Sequence, residues 1–236
     1  MKKPSKLKAL LPIYAAVLIG CMSIAHFGSS AITVMVENGP VPNRTCIIVD
    51  AGHGGIDGGA SSCSGVLESE LNLQIALRLN DLIRFLGYCT QMVRTTDTSI
   101  YTEGSTIAAQ KVSDLKERVK LVNSTENAIL ISIHQNTYPD SRYSGAQIFY
   151  ATDPESQKLA KQMQSAFTSA LNPGSRRRCK PSDGIYLMQN INATGILIEC
   201  GFISNPAEEA KLRSEDYQKQ IACVIGGCLS GFLEKE

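Results

Sequence analysis

The chain contains no tryptophan, and aromatic residues make up only 6% of its 236 positions. That scarcity argues against a sugar-binding module built on an aromatic platform. Its net charge is only +1, so it lacks the basic excess of a nucleic-acid binder, and no nucleic-acid partner is expected. There is no internal repeat and no low-complexity linker. The composition is 43% hydrophobic and 19% charged. That is ordinary for a globular protein and excludes a disordered or collagen-like chain. The sequence has no H-E-x-x-H, no G-x-S-x-G elbow and no Walker loop, so none of those chemistries is signalled. Histidine is scarce too, with only His26, His53 and His134.

The near-neutral charge hides an asymmetry. Residues 1–30 carry Lys2, Lys3, Lys6 and Lys8 and no acid, while the remaining 19 basic groups face 22 acidic ones. The basic cluster leads into the apolar stretch from Ala9 to Met22, the n-region and h-region of an export signal. Three fates are consistent with it. Ser29–Ser30–Ala31 offers a cleavage site, Leu18–Ile19–Gly20–Cys21 fits a lipobox, and the apolar stretch is close to the lower limit for a membrane span. Residues 1–31 are therefore read as a signal peptide or membrane anchor, 32–44 as a linker and 45–236 as the catalytic domain.

Eight cysteines in an exported chain suggest disulfides. Their irregular spacing and the lack of C-x-x-C argue for mostly free thiols instead. Cys46, Cys89, Cys200 and Cys223 sit in apolar segments, where cysteine behaves as a small hydrophobe. Cys63 and Cys179 fall in loop-like stretches and could pair.

Beyond residue 40 apolar runs and helical periodicities alternate. Strands are expected at Thr45–Asp50, Cys89–Val93, Ala128–Ile133, Ala146–Tyr150 and Gly195–Glu199, with a weak one at Ile185–Met188. Helices are expected at Glu68–Leu86, Ser113–Ser124 and from Asp153 through Leu171. A short helix opens at Asn205–Pro206, and a last one is capped at Ser214–Glu215–Asp216. The stretches Ile100–Lys111 and Asn172–Gly184 read as loops. The alternation predicts an α/β fold: a single three-layer domain with a mostly parallel central sheet flanked by helices, after the N-terminal segment.

In such sheets ligands bind beyond the carboxyl ends of the strands. Asp50 and His53 follow the first strand, His134 follows the third, and Glu199 ends the run G-I-L-I-E. Glu68 opens the first helix. Two imidazoles and a carboxylate form a standard catalytic zinc site, and they can equally hold non-haem iron. Blander readings exist for each ligand. His53 could bond its own loop, His134 could be a satisfied buried histidine, and Glu68 could favour the positive end of its helix. A carboxylate ending a buried apolar strand, as Glu199 does, is costly unless paired or functional. Cys200 points to the opposite face of its strand from Glu199 and reads as core.

These residues lie in segments that resemble one family, the bacterial zinc-dependent N-acetylmuramoyl-L-alanine amidases of type 3, over about Cys46 to Phe232. The resemblance runs through I-I-V-D-A-G-H-G-G-I-D-G-G-A from Ile47, G-V-L-E-S-E-L-N-L around Glu68, and Arg94 with Asp97. It continues through Leu115, Arg118 and Asn123, then S-I-H-Q-N with His134, and I-E-C-G-F-I-S-N with Glu199. The leader, the short length and the E-C-G-F-I-S-N segment look most like the spore-cortex amidases of endospore formers. Departures are Ala51 where proline is usual, Ser69 where lysine is common, Thr194–Gly195 in place of proline–alanine, and a longer polar stretch from Tyr101 to Lys111.

The resemblance implies one Zn²⁺ per chain, held by His53, Glu68 and His134, with Glu199 as catalytic base. The implied reaction is hydrolysis of the amide between N-acetylmuramic acid and L-alanine, in spore-cortex formation. Asp50 would orient His53 or simply cap its strand, and Arg94 and Asn136 would support the site or the substrate. Arg176, Arg177, Arg178 and Lys180 would either meet stem-peptide carboxylates or form a solvated loop. Implied partners are peptidoglycan, the membrane through the N-terminal segment, and a regulatory or activating protein. The implied location is outside the cytoplasmic membrane, at the cell wall or the forespore intermembrane space. The competing readings are a degenerate wall- or partner-binding protein, and another zinc peptidase or deacetylase of related fold.

Overall fold

The computed structural model describes residues 45–234. The expected leader, its lipobox and its cleavage site lie outside the described residues. Described strands are β1 (Cys46–Ala51), β2 (Cys89–Met92), β3 (Ala128–Asn136), β4 (Gln147–Tyr150), β5 (Lys180–Pro181) and β6 (Thr194–Phe202). Described helices are α1 (Glu68–Phe85), α2 (Ile107–Ser124), α3 (Pro154–Ala170), α4 (Tyr186–Asn190), α5 (Pro206–Leu212) and α6 (Glu215–Leu233). The strands form one sheet in the order β2-β1-β3-β6-β4-β5. β2, β1, β3 and β6 run parallel, and β4 pairs antiparallel to β6.

Successive strand residues face opposite sides of a sheet, and both sides here are covered. Ile47, Val49, Ile131, Ile133, Ile196 and Ile198 pack with α1, α3 and α6. Ile48, Leu130 and Leu197 pack toward α2 and α4. Burial on both faces explains why the central strands read as unbroken apolar runs. α3 starts where Asp153 accepts from Ser156 N, with Pro154 in the first turn. α5 starts where Asn205 accepts from Ala207 N and Glu208 N. Ser214 occupies the cap position of α6 without a side-chain capping bond.

Several elements differ from the sequence expectation. Ile185–Met188 is not a strand; it runs into α4, where the adjacent Leu187 and Met188 are both buried. Two neighbouring buried side chains suit a helical turn, not a strand's alternation. The polar stretch after Asn172 contains β5, a two-residue edge strand too short to show a pattern. α2 begins at Ile107, not Ser113, because the Thr106 side chain caps Ala109 N. Its buried positions are Ser113, Arg118 and Val122, while Leu115 is exposed. β3 and β6 run on to Asn136 and Phe202, so His134 lies within its strand instead of after it, and Glu199 lies inside its strand instead of ending it. Cys63, Cys89, Cys179, Cys200 and Cys223 are free thiols. The Cys63 thiol donates to Glu209 Oε2 at 3.8 Å instead of pairing with Cys179. Cys223 is exposed, on the outward side of α6.

Candidate active site

The carboxyl ends of β1, β3 and β6 lie side by side, so residues distant in sequence meet there. His53 stands two residues past β1 with φ at 61°, a left-handed conformation that costs a non-glycine residue about 1–3 kcal/mol. Two buried arginines hold the turn that imposes it. Arg94 donates to Ala51 O at 2.8 Å and Gly52 O at 3.1 Å, and Arg118 Nη2 donates to His53 O at 2.8 Å. Arg94 also donates to Ser69 O at 2.9 Å, which ties the first turn of α1 to the same loop. Asp97 accepts from Gly55 N at 2.9 Å.

Glu68, the first residue of α1, is buried. Its Oε2 accepts from Ala60 N at 2.9 Å and its Oε1 from Gln135 N at 3.1 Å. Gln135 can reach it because the β3–β6 register shifts between His134 and Asn136, a bulge of the kind that re-aims groups beside active sites. Glu68 Oε1 lies 2.9 Å from His134 Nδ1 and 3.3 Å from His53 Nε2. The two rings meet edge-on with centroids 4.9 Å apart. Gly52 and Gly59 make room for them. A Cβ on Gly52 would lie 2.1 Å from His134 Nε2, and one on Gly59 would lie 2.7 Å from Glu68 Oε2.

The three side chains each offer a donor atom, and these atoms lie within 4.8 Å of one another. Two imidazoles and a carboxylate at that separation suit a metal ion such as zinc. The electrostatics fit a cation as well. Burial alone would raise the Glu68 carboxyl, but its bonds to His134 and His53 outweigh it and push the group well down. Burial alone would lower His53, yet Glu68 and then Asp57 raise it to about 9. Without a metal, a proton on His53 balances the carboxylates.

Glu199 is the cross-strand partner of His134. Its Oε2 is buried with no hydrogen-bond partner among the described residues. Burial raises its carboxyl to about 7, with His134 opposing and Glu68 adding to the shift. A cavity of about 400 Å³ opens over these groups, bounded by His53, His134, Glu199, Lys111, Leu115 and Tyr186. Leu115 and Tyr186 are exposed, and they give the mouth an apolar rim.

The remaining expected site residues divide. Asp50 does not orient His53. It pairs with Arg118 and accepts from Ser132 Oγ at 2.6 Å, because as a strand residue it points toward α2. Asp57 takes the expected role, with Oδ2 2.8 Å from His53 Nδ1 and Oδ1 2.7 Å from Lys111 Nζ. Arg94 holds backbone only. Asn136 ends β3, and its carbonyl accepts from Ile203 N at 2.8 Å. Lys180 sits on the edge strand β5, outside the cavity over Glu199. Asp57 and Lys111 escaped the sequence reading. The one available signal was Asp57's place four residues after His53, inside the same glycine-rich loop.

Fold and site together define a class: an α/β protein whose parallel strands carry, at their carboxyl ends, a histidine–glutamate–histidine group able to hold a metal ion. Residues 47–229 match the family described as N-acetylmuramoyl-L-alanine amidase, and the chain belongs to that family and is an enzyme of it. It is 41% identical over 192 residues to the germination-specific N-acetylmuramoyl-L-alanine amidase of Bacillus subtilis strain 168, covering 80% of each chain. It is also similar to the CwlD amidase from Clostridioides difficile, solved in complex with the GerS lipoprotein. That likeness has a TM-score of 0.78 at 36% identity and covers 82% of this chain and 100% of the other. The structure of an N-acetylmuramoyl-L-alanine amidase from Clostridium difficile 630 gives a TM-score of 0.70 at 32% identity, over 82% of this chain and 99% of that one.

Proposed function

We propose that the chain hydrolyses the amide between the lactyl group of N-acetylmuramic acid and L-alanine in peptidoglycan. One zinc ion would be held by His53, Glu68 and His134. The observation that carries this reading is Glu199 Oε2, a buried carboxylate oxygen without a partner, set across the sheet from His134. When bound, zinc supplies a Lewis acid that acidifies water and polarises a carbonyl. Glu199 takes a proton from the attacking water as the new C–O bond forms. It then passes that proton to the alanine nitrogen as the C–N bond breaks, leaving a lactyl carboxylate and a free stem peptide. A carboxyl raised to about 7 is suited to both halves of that exchange. Asp57 fixes the His53 ring through Nδ1, the usual support for a metal-bound histidine.

The setting follows from the relatives and the leader. The Bacillus subtilis relative is germination-specific, which supports a role in the spore cortex. The basic-then-apolar N-terminus supports export, and so action outside the cytoplasmic membrane. The relative solved with a lipoprotein supports a protein partner here. The decisive experiment is Glu199→Gln on purified peptidoglycan, read by mass spectrometry. Bound zinc should stay stoichiometric while kcat falls about 10²–10⁴-fold. Loss of zinc would make Glu199 a ligand. Cleavage anywhere but the lactyl amide by the unaltered enzyme would favour a peptidase or deacetylase, and binding without cleavage would favour a degenerate wall-binding protein.

A further inference from the structure

A second groove of about 1030 Å³ is lined in part by Gln147, the cross-strand partner of Glu199. Five cations line it: Arg176, Arg177, Arg178, Lys180 and Lys211. Among the described residues none of the five is in an ion pair, whereas Lys111, Arg118, Lys158 and Lys219 all are. The groove's own carboxylate, Glu208, does not answer them. It is buried and occupied by backbone, accepting from Gly145 N at 2.9 Å and Phe202 N at 2.8 Å. The groove therefore presents an excess of positive charge.

It also lies at the catalytic edge. β4 runs antiparallel to β6, so its first residue, Gln147, is the cross-strand partner of Glu199. Gln147 Oε1 is 3.4 Å from Arg177 Nη1, and Gln147 Nε2 donates to Arg178 O. Arg177 is fixed further by Ser144 O at 2.9 Å and by stacking on Phe202, 4.6 Å from its ring centroid. Gln147 thus joins the strand position opposite Glu199 to a fixed guanidinium. A freely solvated loop would show neither the stacking nor the link to β4.

We propose that this groove binds carboxylates of the stem peptide that follows the scissile amide, and so selects acidic stems over neutral ones. The inference rests on the amidase reading above. It fits the chemistry: the sugar side of the substrate is neutral, the peptide side carries carboxylates, and guanidinium forks bind carboxylates in pairs. Opposite charge along the groove would act mainly on capture of substrate and less on the bond-breaking step.

The test compares zinc-loaded enzyme on two substrates, muropeptides with free stem carboxylates and the same muropeptides amidated with carbodiimide and ammonia. The unaltered enzyme should prefer the acidic substrate in kcat/KM, chiefly through KM, and added salt should erode the preference. In Arg176→Gln/Arg178→Gln/Lys180→Gln, all at exposed positions, that preference should fall about tenfold. Lys120→Gln/Lys158→Gln/Lys219→Gln likewise removes three charges, but away from the groove, and should keep it. Equal rates on both substrates by the unaltered enzyme, or an unchanged preference in the triple variant, would overturn the proposal. If the unaltered enzyme cleaves neither substrate, the amidase reading fails. Binding of a fluorescently labelled acidic stem peptide, against its amide, then decides the groove independently. Tighter binding of the acidic peptide that weakens in the triple variant supports the groove, and equal binding overturns it.

Discussion

A methyl group at Gly52 would stand 2.1 Å from His134 Nε2 and 2.2 Å from its Cε1. No rotamer of alanine avoids that, so the imidazole would have to leave. Gly52→Ala should therefore keep its far-UV circular dichroism but lose zinc affinity by at least about 100-fold in a chelator competition, a loss comparable with removal of support for a ligand. Retained affinity would show that His134 binds from another position. Asp57 acts one step further out. Its carboxylate joins His53 Nδ1 to Lys111 Nζ across a loop. Asp57→Asn keeps the shape and loses the charge. The expected cost is about 10–100-fold in zinc affinity, with the fold intact. A free choice of ring orientation by His53 would leave affinity unchanged and refute the role. His53, Glu68, His134 and Glu199 were legible in sequence because each stands at or near the end of an apolar run or the start of a helix. Asp57 and Lys111 were not, since only the folded loop brings the start of α2 to the first strand.

Elements were legible to the extent that burial wrote a period into them. β1, β3 and β6 are enclosed on both faces and read as apolar runs; α1, α3 and α6 bury one stripe each. α2 was misplaced at its start because two of the three positions it buries are polar, Ser113 and Arg118, beside Val122. Arg118 bridges three elements. It pairs with Asp50 of β1 and with Asp114, and it donates to the loop after β1. These two acids and its own burial oppose one another, and the acids prevail, holding the guanidinium charged. Arg118→Met would leave Asp50 buried without its cation, at a cost of about 3–5 kcal/mol in denaturant unfolding. Arg118→Met combined with Asp50→Asn should cost less than the sum of the two single changes, because the orphaned charge is gone. Additivity would mean that Asp50 and Arg118 stabilise the fold independently. α4 and β5 were hidden for another reason. At five and two residues they are too short for any period to show.

At the scale of the molecule, a metal held as proposed would couple stability to pH. His53 is raised in the folded protein from 6.5 to about 9. A raised basic group contributes its stability fully below the unfolded value and loses it as pH climbs through the folded one. Glu199, raised from 4.5 to about 7, works in the same direction over a lower window. Chelated protein should therefore show a Tm that declines between about pH 4.5 and pH 9. Zinc reverses the sign for His53. The ion needs a neutral imidazole, so each binding event expels a proton below pH 9. Apparent affinity should climb by up to about tenfold per pH unit from pH 7 toward 9. A ligand that binds only the folded state adds about 1.4 kcal/mol for each tenfold gain in affinity at fixed excess zinc. Because the three proposed ligands come from the loop after β1, the start of α1 and the interior of β3, that energy would be felt by the sheet and its covering helix together. The Tm difference between zinc-loaded and chelated protein should thus widen as pH rises from 7 to 9, with about one proton released per zinc in calorimetry across buffers. A difference that is constant or narrows over that range would mean that His53 does not give up its proton to the metal, and would remove it from the ligand set.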